Sequence, residues 1–177
     1  MGKTFNTDGY CDPKLHYMVN LDTRLREIKS MVDAGKYFTI NRARQYGKTT
    51  VLTALADYLQ TEYEVISLDF QGLSYADFES EYSFAAAFSR QILLYTEHIP
   101  AEAEEELKQY SAGKIEGATL SRLFVLLSEL CRKSERKIVM IIDEVDSASN
   151  NQVFVDFLAQ LRFYYLRRGS LRRFGSL

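Results

Sequence analysis

The chain has 177 residues, which is enough for one domain and too few for two of ordinary size. Hydrophobic residues make up 46% and charged residues 26%, a balance typical of folded globular proteins, so an intrinsically disordered chain is excluded. The 22 basic and 24 acidic residues leave a net charge of −2, so no overall field draws the protein to nucleic acid or to an anionic membrane.

The cysteines and the N-terminus favour a cytoplasmic protein. Cys11 and Cys131 are far apart in sequence and form no C-x-x-C motif, so we expect two reduced thiols, with a disulfide between them as the alternative. The N-terminus lacks the apolar stretch of a signal peptide. Apolar runs such as residues 138–142 are much shorter than the roughly 20 residues that span a bilayer.

Turn-forming residues dominate the start of the chain. We therefore predict an irregular N-terminal segment over residues 1–20. In residues 21–32 apolar side chains recur at helical spacing, which predicts a helix. Asn20 or Asp22 is placed to cap the start of this helix, and Gly35 to end it.

A strand, a loop and a second helix follow. Residues 37–40 form a short β-prone run and predict a strand. A polar loop over residues 41–48 leads to a helix that opens at Thr49. Residues 64–70 predict a second strand, with Asp69 near its end.

The second half of the chain alternates helical patterns with one more strand. Residues 75–98, 120–130 and 154–165 carry apolar residues at helical spacing, and residues 101–109 form an acidic helix face exposed to solvent. Residues 138–142 form a continuous apolar strand, the type usually buried on both faces of a parallel sheet. Strands that alternate with helices predict βαβ units and an α/β fold for residues 21–165.

The last residues, 166–177, are basic and nearly repeat the pattern Leu-Arg-Arg-Gly-Ser-Leu. We predict a poorly ordered tail, because chain termini are the usual place for fraying. Contact with phosphate or RNA, or modification of Ser170 or Ser176, is the alternative interpretation.

A phosphate-binding P-loop is predicted where the first strand meets the second helix. Gly47 lets the backbone approach phosphates, Lys48 can reach the β- and γ-phosphates, and the Thr49 hydroxyl can bind Mg²⁺. The usual signature, G-x-x-x-x-G-K-[ST], has a glycine where this chain has Arg42. The same Gly-Lys-Thr triplet at residues 2–4 follows no strand, so we give it no role.

The strand over residues 138–142 ends in an acid pair, which is a Walker B pattern. Ligands of open α/β sheets bind at the carboxyl ends of strands. Asp143 is predicted to hold Mg²⁺ and Glu144 to polarise the attacking water. A core strand that merely ends in two solvated acids is the alternative, and Asp146 is the substitute for Glu144.

Residues 37–50 and 138–146, which contain these two motifs, resemble the corresponding segments of the bacterial AAA-like ATPases. The P-loop of that group reads Arg-x-Arg-x-(Tyr/Phe)-Gly-Lys-(Thr/Ser). The missing first glycine is a trait of that variant. Residues 11–17 and 67–70 are also similar to the group, and the resemblance covers most of residues 5–165. It implies a P-loop NTPase fold of the AAA/ASCE type, a parallel sheet flanked by helices.

The resemblance also implies ATP and Mg²⁺ as cofactors. It makes Lys48 and Glu144 catalytic and assigns Thr49 and Asp143 to the metal. The implied nucleotide-binding residues are Arg42, Ala43, Arg44, Gln45, Tyr46, Gly47, Lys48, Thr49 and Thr50. The two arginines of this loop have a second interpretation, as surface charges that contact neither phosphate nor Asp143.

ATPases that resemble this chain have a further strand between the P-loop strand and the Walker B strand. Residues 167–177 would have to supply it, and they hold no apolar run. We therefore expect a C-terminally incomplete sheet, with residues 37–41 and 137–142 about two strand spacings apart, roughly 9–10 Å. Direct pairing of these two segments, or a strand from another chain, is the alternative.

The leading functional hypothesis is an ATP-binding, Mg²⁺-dependent ATP-hydrolysing domain. The alternatives are a nucleotide-gated interaction module without turnover and an inactive, truncated fragment. We expect a nucleotide and an unidentified protein or oligomer as partners and no membrane. Nucleic acid is supported only by the basic tail.

Overall fold

The computed structural model describes residues 4, 15–17, 20–41, 47–96, 98–115 and 117–171. The elements in chain order are α1 (Asp22–Asp33), α2 (Lys48–Leu59), β1 (Glu64–Asp69), two 3-10 turns (Phe70–Gly72 and Tyr75–Phe78), α3 (Glu81–Tyr95), α4 (Ala101–Ser111), α5 (Leu120–Lys133), β2 (Ile138–Asp143), α6 (Val145–Ala148) and α7 (Gln152–Leu171).

The described strands form a two-stranded parallel sheet, with helices on both faces. β1 pairs with β2 in a register that runs from Glu64 opposite Ile138 to Asp69 opposite Asp143. The connection between them contains α3, α4 and α5, as parallel pairing requires. The mixed α/β class predicted from the sequence is therefore present, and both strands end at the same edge of the sheet.

The larger hydrophobic cluster lies on one face of the sheet. Its centre is aromatic: Phe84, Phe88 and Phe157 are fully buried, and the Phe157 ring centroid lies 5.0 Å from that of Phe88. Alternate residues of β1, Ile66 and Leu68, point into this cluster. The helices that complete it are α3, α4, α5 and α7.

The smaller cluster covers the opposite face. It consists of residues from α1 and α2 packed on Val65 of β1 and Ile141 of β2. Phe38 and Ile40 also pack against it. The helix that begins at the predicted P-loop is thus attached to the sheet through this smaller cluster.

Helix α1 ends as its sequence predicts, but its N-cap residue is Leu21, which makes no side-chain cap hydrogen bond, so neither Asn20 nor Asp22 is the N-cap. The Asn20 side chain accepts a hydrogen bond from the Asp22 N–H at 2.8 Å. Gly35 has a φ of 62° and donates its N–H to the Val32 carbonyl at 2.8 Å. A left-handed glycine of this kind is a common end of a helix.

Two predicted elements have different limits in the structure. The helix predicted over residues 75–98 is interrupted: a 3-10 turn ends at Phe78, and α3 starts afresh after Ser80, whose side chain accepts from the Ser83 N–H at 3.1 Å. A serine that bonds to the backbone in this way favours a new helix start over a continuous helix. Helix α7 continues past Tyr165 to Leu171, since leucine and arginine are good helix formers, so part of the predicted tail is helical.

The strand predicted over residues 37–40 is not formed; these residues have no strand assignment. Within the described part of the chain, the outer edge of β2 pairs neither with them nor with any other strand. Phe38 and Ile40 pack against the smaller cluster and are partly buried without any backbone ladder, whereas Tyr37 is exposed. No helix among the described residues is both long and apolar enough to cross a bilayer.

Candidate functional site

Gly47 places the start of α2 at the carboxyl edge of the sheet. Its φ of 69° and ψ of 33° are left-handed, a conformation that glycine adopts without steric cost. No side chain among the described residues caps this helix start. The first N–H groups of α2 therefore remain available, and together with the helix dipole they form an electropositive end.

The first two residues of α2 contact the acid pair at the end of β2. Lys48 Nζ lies 3.1 Å from Asp143 Oδ1 and 3.2 Å from Glu144 Oε1. The Thr49 hydroxyl donates to Asp143 Oδ2 at 3.0 Å. Four side chains predicted from two distant sequence motifs thus form one connected site.

The charges in this site are mutually stabilised. Burial lowers the pKa of Lys48, but its hydrogen bonds to Asp143 and then to Glu144 outweigh burial, and the net effect raises that pKa. Only 12% of the Asp143 side chain and 22% of the Lys48 side chain are exposed, against 37% for Glu144. Lys48 is therefore a cation held between two carboxylates, with Glu144 on the open side.

Glu144 has an unusual backbone conformation. Its φ of 54° is the only positive φ at a non-glycine residue in the described part of the chain, and its N–H donates to Asp143 Oδ1 at 2.8 Å. A left-handed conformation costs a residue with a side chain about 1–2 kcal/mol. This turn ends β2 and keeps the Glu144 carboxylate next to Lys48. Asp146, the predicted substitute, lies exposed in α6.

The neighbouring strand is fixed by a residue that sequence analysis did not identify. Gln91 of α3 is buried, with only 8% of its surface exposed. Its side-chain NH₂ group donates a hydrogen bond to the Asp69 carbonyl at 2.8 Å. The Asp69 carboxylate accepts from the Gln71 N–H at 2.9 Å. The available signal was a polar residue in an apolar helix pattern, next to Ile92.

The oxygen donors of this site fit a magnesium ion only in part. A carboxylate and a threonine hydroxyl in contact are the hard oxygen ligands that Mg²⁺ prefers, and this ion usually takes only one or two protein ligands. Within the described residues, no cluster of three or more His, Cys, Asp or Glu side chains could hold a metal. Thr49 and Asp143 would therefore supply two ligands of such an ion, and its other ligands would have to come from elsewhere.

The structure brings together Gly47, Lys48, Thr49, Asp143 and Glu144, and Thr50 continues α2 behind them. The remaining residues predicted for the loop, from Arg42 to Tyr46, lie outside the described residues. The contact of Arg42 and Arg44 with phosphate or Asp143, and their alternative role as surface charges, therefore both stay predictions.

The comparisons with known proteins give one match. The model of a family described as "AAA-like domain" matches residues 14–177 and therefore continues past Tyr165, where the resemblance drawn from the sequence ends. Neither the curated proteins nor the solved structures gave a match. Because the family model covers most of the chain, including every residue of the site described above, the protein belongs to the AAA-like domain family.

Proposed function

We propose that this protein is a P-loop ATPase domain that binds ATP with Mg²⁺ and hydrolyses it. Family membership supports a nucleotide-binding, ATPase-type function. The observation that carries the finer proposal is the contact of Lys48 and Thr49, at a helix N-terminus, with the acid pair after β2. Phosphate groups bind where backbone N–H groups and a lysine converge, and the metal binds where a hydroxyl and a carboxylate meet.

Each residue has a separate role in this proposal. The N–H groups of α2 and Lys48 bind the phosphate oxygens. Thr49 and Asp143 would hold the metal ion, which would neutralise negative charge on those oxygens. Glu144 accepts a proton from the attacking water. For this role its carboxylate leaves Lys48, a contact that is exposed enough to exchange for solvent.

A nucleotide-gated module without turnover is the second candidate. The observation in its favour is that Glu144 is ion-paired with Lys48 and held in a left-handed turn, so the base is engaged elsewhere. A protein that keeps this pair when nucleotide binds would change shape with ATP but would not hydrolyse it.

Two measurements test the proposal. In thermal or chemical unfolding, Mg²⁺-ATP at 100 times its Kd should stabilise the protein by about 2.7 kcal/mol. Lys48→Ala should lose most of this gain, while Lys114→Ala, an exposed lysine in the α4–α5 connection, should keep it. Equal stabilisation of all three proteins would exclude Lys48 from the binding site.

Phosphate release then separates the two candidates. Wild-type turnover that Glu144→Gln abolishes, with nucleotide binding kept, supports hydrolysis with Glu144 as the base. Binding without turnover in the wild type supports the gated module. Unchanged turnover in Glu144→Gln would exclude Glu144, and Asp146 would become the residue to test.

A further inference from the structure

Asp69 ends β1 beside the acid pair that ends β2. In the register of the sheet Asp69 lies opposite Asp143. Neighbouring strands of a sheet lie about 4.8 Å apart. The backbone of Asp69 is therefore one strand spacing from that of Asp143, whose carboxylate Lys48 and Thr49 contact.

Asp69 and Asp143 also lie on the same face of the sheet. In β1, Leu68 packs into the larger cluster and Val65 into the smaller one. Because successive side chains of a strand point to opposite faces, Asp69 shares the face of Val65. Ile141 packs into the smaller cluster and places Asp143 on that face in the same way. Helix α2 covers this face, so both carboxylates lie on the side of the sheet where α2 begins.

A turn after β1 holds the Asp69 carboxylate at this edge. Its Oδ1 accepts a hydrogen bond from the Gln71 N–H at 2.9 Å and thereby caps the 3-10 turn Phe70–Gly72. Asp69 is exposed, so its other carboxylate oxygen is accessible to water. An asparagine could make the same capping bond. The cap therefore accounts for a short polar side chain at this position, but not for a carboxylate.

The backbone of Asp69 is fixed by Gln91 of α3, a helix of the larger cluster. Gln91 is buried, and its NH₂ group donates to the Asp69 carbonyl at 2.8 Å. Its Oε1 is also buried and has no hydrogen-bond partner among the described residues. A buried side chain with an unpaired oxygen is unfavourable compared with an apolar one. Proteins keep such features mainly where one residue must stay in one position, and here that residue is Asp69.

We propose that Asp69 belongs to the metal site, where its carboxylate accepts a hydrogen bond from water bound to the Mg²⁺ ion that Thr49 and Asp143 would hold. The role of Asp69 rests on the proposed function, since the ion is expected there only with the nucleotide. A direct bond to the ion is not favoured, because no group of three or more His, Cys, Asp or Glu side chains in the described part of the chain could hold a metal. Mg²⁺ usually keeps several water ligands, and their protons need acceptors.

One water molecule fits between the two aspartate side chains. Side chains of equal length on neighbouring strands are separated by about the strand spacing of 4.8 Å, which one bridging water can span. A partner that accepts from a bound water orients that water and raises the affinity for the metal, and its removal typically costs roughly 10–100-fold in affinity. Because Asp69 is exposed, we expect the lower end of this range, about tenfold.

Asp69→Asn and Asp57→Asn make the same chemical change at two exposed aspartates. Asp69→Asn removes the charge and keeps an oxygen that can accept from the Gln71 N–H, so the turn should persist. Asp57 lies near the C-terminal end of α2, away from Lys48, and serves as the matched control. Asp69→Ser is a second variant, because a serine hydroxyl can also cap the turn. Circular dichroism checks that each variant is folded.

Calorimetry with a non-hydrolysable ATP analogue measures what the ion adds to binding. The analogue has nitrogen between its β- and γ-phosphorus atoms, so turnover does not interfere. Its affinity is measured with saturating Mg²⁺ and with EDTA, and the ratio of the two affinities is compared among the proteins. This ratio should fall about tenfold in Asp69→Asn and in Asp69→Ser. Asp57→Asn should keep the wild-type ratio, and all four proteins should bind the analogue equally with EDTA.

Gln91→Met tests how Asp69 is positioned. Methionine is close to glutamine in size and removes the NH₂ donor that bonds to the Asp69 carbonyl. The ratio should fall in the same direction as in Asp69→Asn, but by less. The double variant should lose no more than Asp69→Asn alone, because both changes act through one carboxylate. A wild-type ratio in Gln91→Met would show that this bond does not position the carboxylate.

The outcomes separate the role of Asp69 from the proposed function. If wild type gains affinity with Mg²⁺ and Asp69→Asn gains as much, Asp69 has no part in the metal site, and the proposed function stands. If Asp69→Asn loses the same factor with Mg²⁺ and with EDTA, Asp69 acts on the nucleotide or the fold, which also refutes a role through metal-bound water. If wild type binds the analogue under neither condition, the proposed function is wrong, and the role of Asp69 is wrong with it.

Discussion

Replacing Lys48 by methionine should destabilise the protein even without a ligand. Methionine keeps the apolar stem of the lysine and removes the ammonium group that contacts Asp143 at 3.1 Å and Glu144 at 3.2 Å. The two carboxylates then lose their shared cation, and Asp143, with 12% of its side chain exposed, has little access to water as a replacement. Asp143 keeps its hydrogen bonds from the Thr49 hydroxyl and the Glu144 N–H, so the main cost of the substitution is the loss of its charged partner.

The magnitude follows from the exposure of the two contacts. A hydrogen bond between charged groups at a mostly buried carboxylate such as Asp143 contributes about 1.5–3 kcal/mol. The contact to Glu144 is more exposed and contributes at the surface level of about 0.2–1 kcal/mol. We expect a loss of about 2–3 kcal/mol, since part of the Asp143 contact is screened by solvent as well. For a chain of this length the midpoint temperature should fall by about 4–12 °C.

The assay is chemical unfolding followed by circular dichroism, with Lys114→Met as the matched control. The difference between wild type and Lys48→Met should stay constant from neutral pH to about pH 9, because the pKa of Lys48 is raised above 10.5. A raised pKa gives stability that is complete below the unfolded-state value and disappears as the pH rises through the folded-state value. If Lys48→Met unfolds at the same denaturant concentration as Lys114→Met, the contacts of Lys48 do not stabilise the fold.

Three further predictions concern the backbone, the metal and the core. Gly47→Ala should destabilise the protein by about 1 kcal/mol through its left-handed φ, because among the described residues the added Cβ would come no closer than 4.0 Å, to Thr50. Equilibrium unfolding measures this, and no loss would show that the turn adapts. Asp143→Ala should weaken nucleotide binding with Mg²⁺ more than without it, and equal weakening in calorimetry with EDTA would contradict a metal role. Phe157→Ala should cost about 3–5 kcal/mol in the same unfolding assay because the residue is fully buried; a loss below about 1 kcal/mol would show that the core refills the space.

Sequence patterns were sufficient to predict those strands and helices that depend mainly on their own residues. The continuous apolar run before Asp143 predicted a strand buried on both faces; the strand is present, but only Ile141 in it is buried and its other residues are partly exposed. Gly47 followed by Lys48 predicted a helix start at a sheet edge. These two patterns are 94 residues apart in the chain, yet the Thr49–Asp143 hydrogen bond brings them into contact. The packing of α2 makes this possible, because α2 lies on the sheet with its first residues at the edge where β1 and β2 end.

Other features depend on contacts that a local pattern does not contain. Residues 37–40 have the composition of a strand, but a strand needs a neighbour, and the described residues provide none. No glycine in the sequence indicates the left-handed turn at Glu144. The turn is held by the hydrogen bond to the Asp143 side chain and by the contact of Glu144 with Lys48, which form only in the folded protein. Gln91 supports Asp69 across 22 residues, so its role is visible only after folding.

The division of the hydrophobic side chains between the two faces of the sheet has a consequence for hydrogen exchange. Helices α1 and α2 are attached through the smaller cluster, which lacks the interlocked aromatic rings around Phe157. Regions with fewer buried contacts open at lower free energy than the whole chain. The amides of these two helices should therefore exchange first, and such an opening would separate Lys48 from Asp143 while the aromatic face stays folded. A ligand that bridges α2 and β2 would close this opening, so its binding energy would slow exchange mainly in α1 and α2.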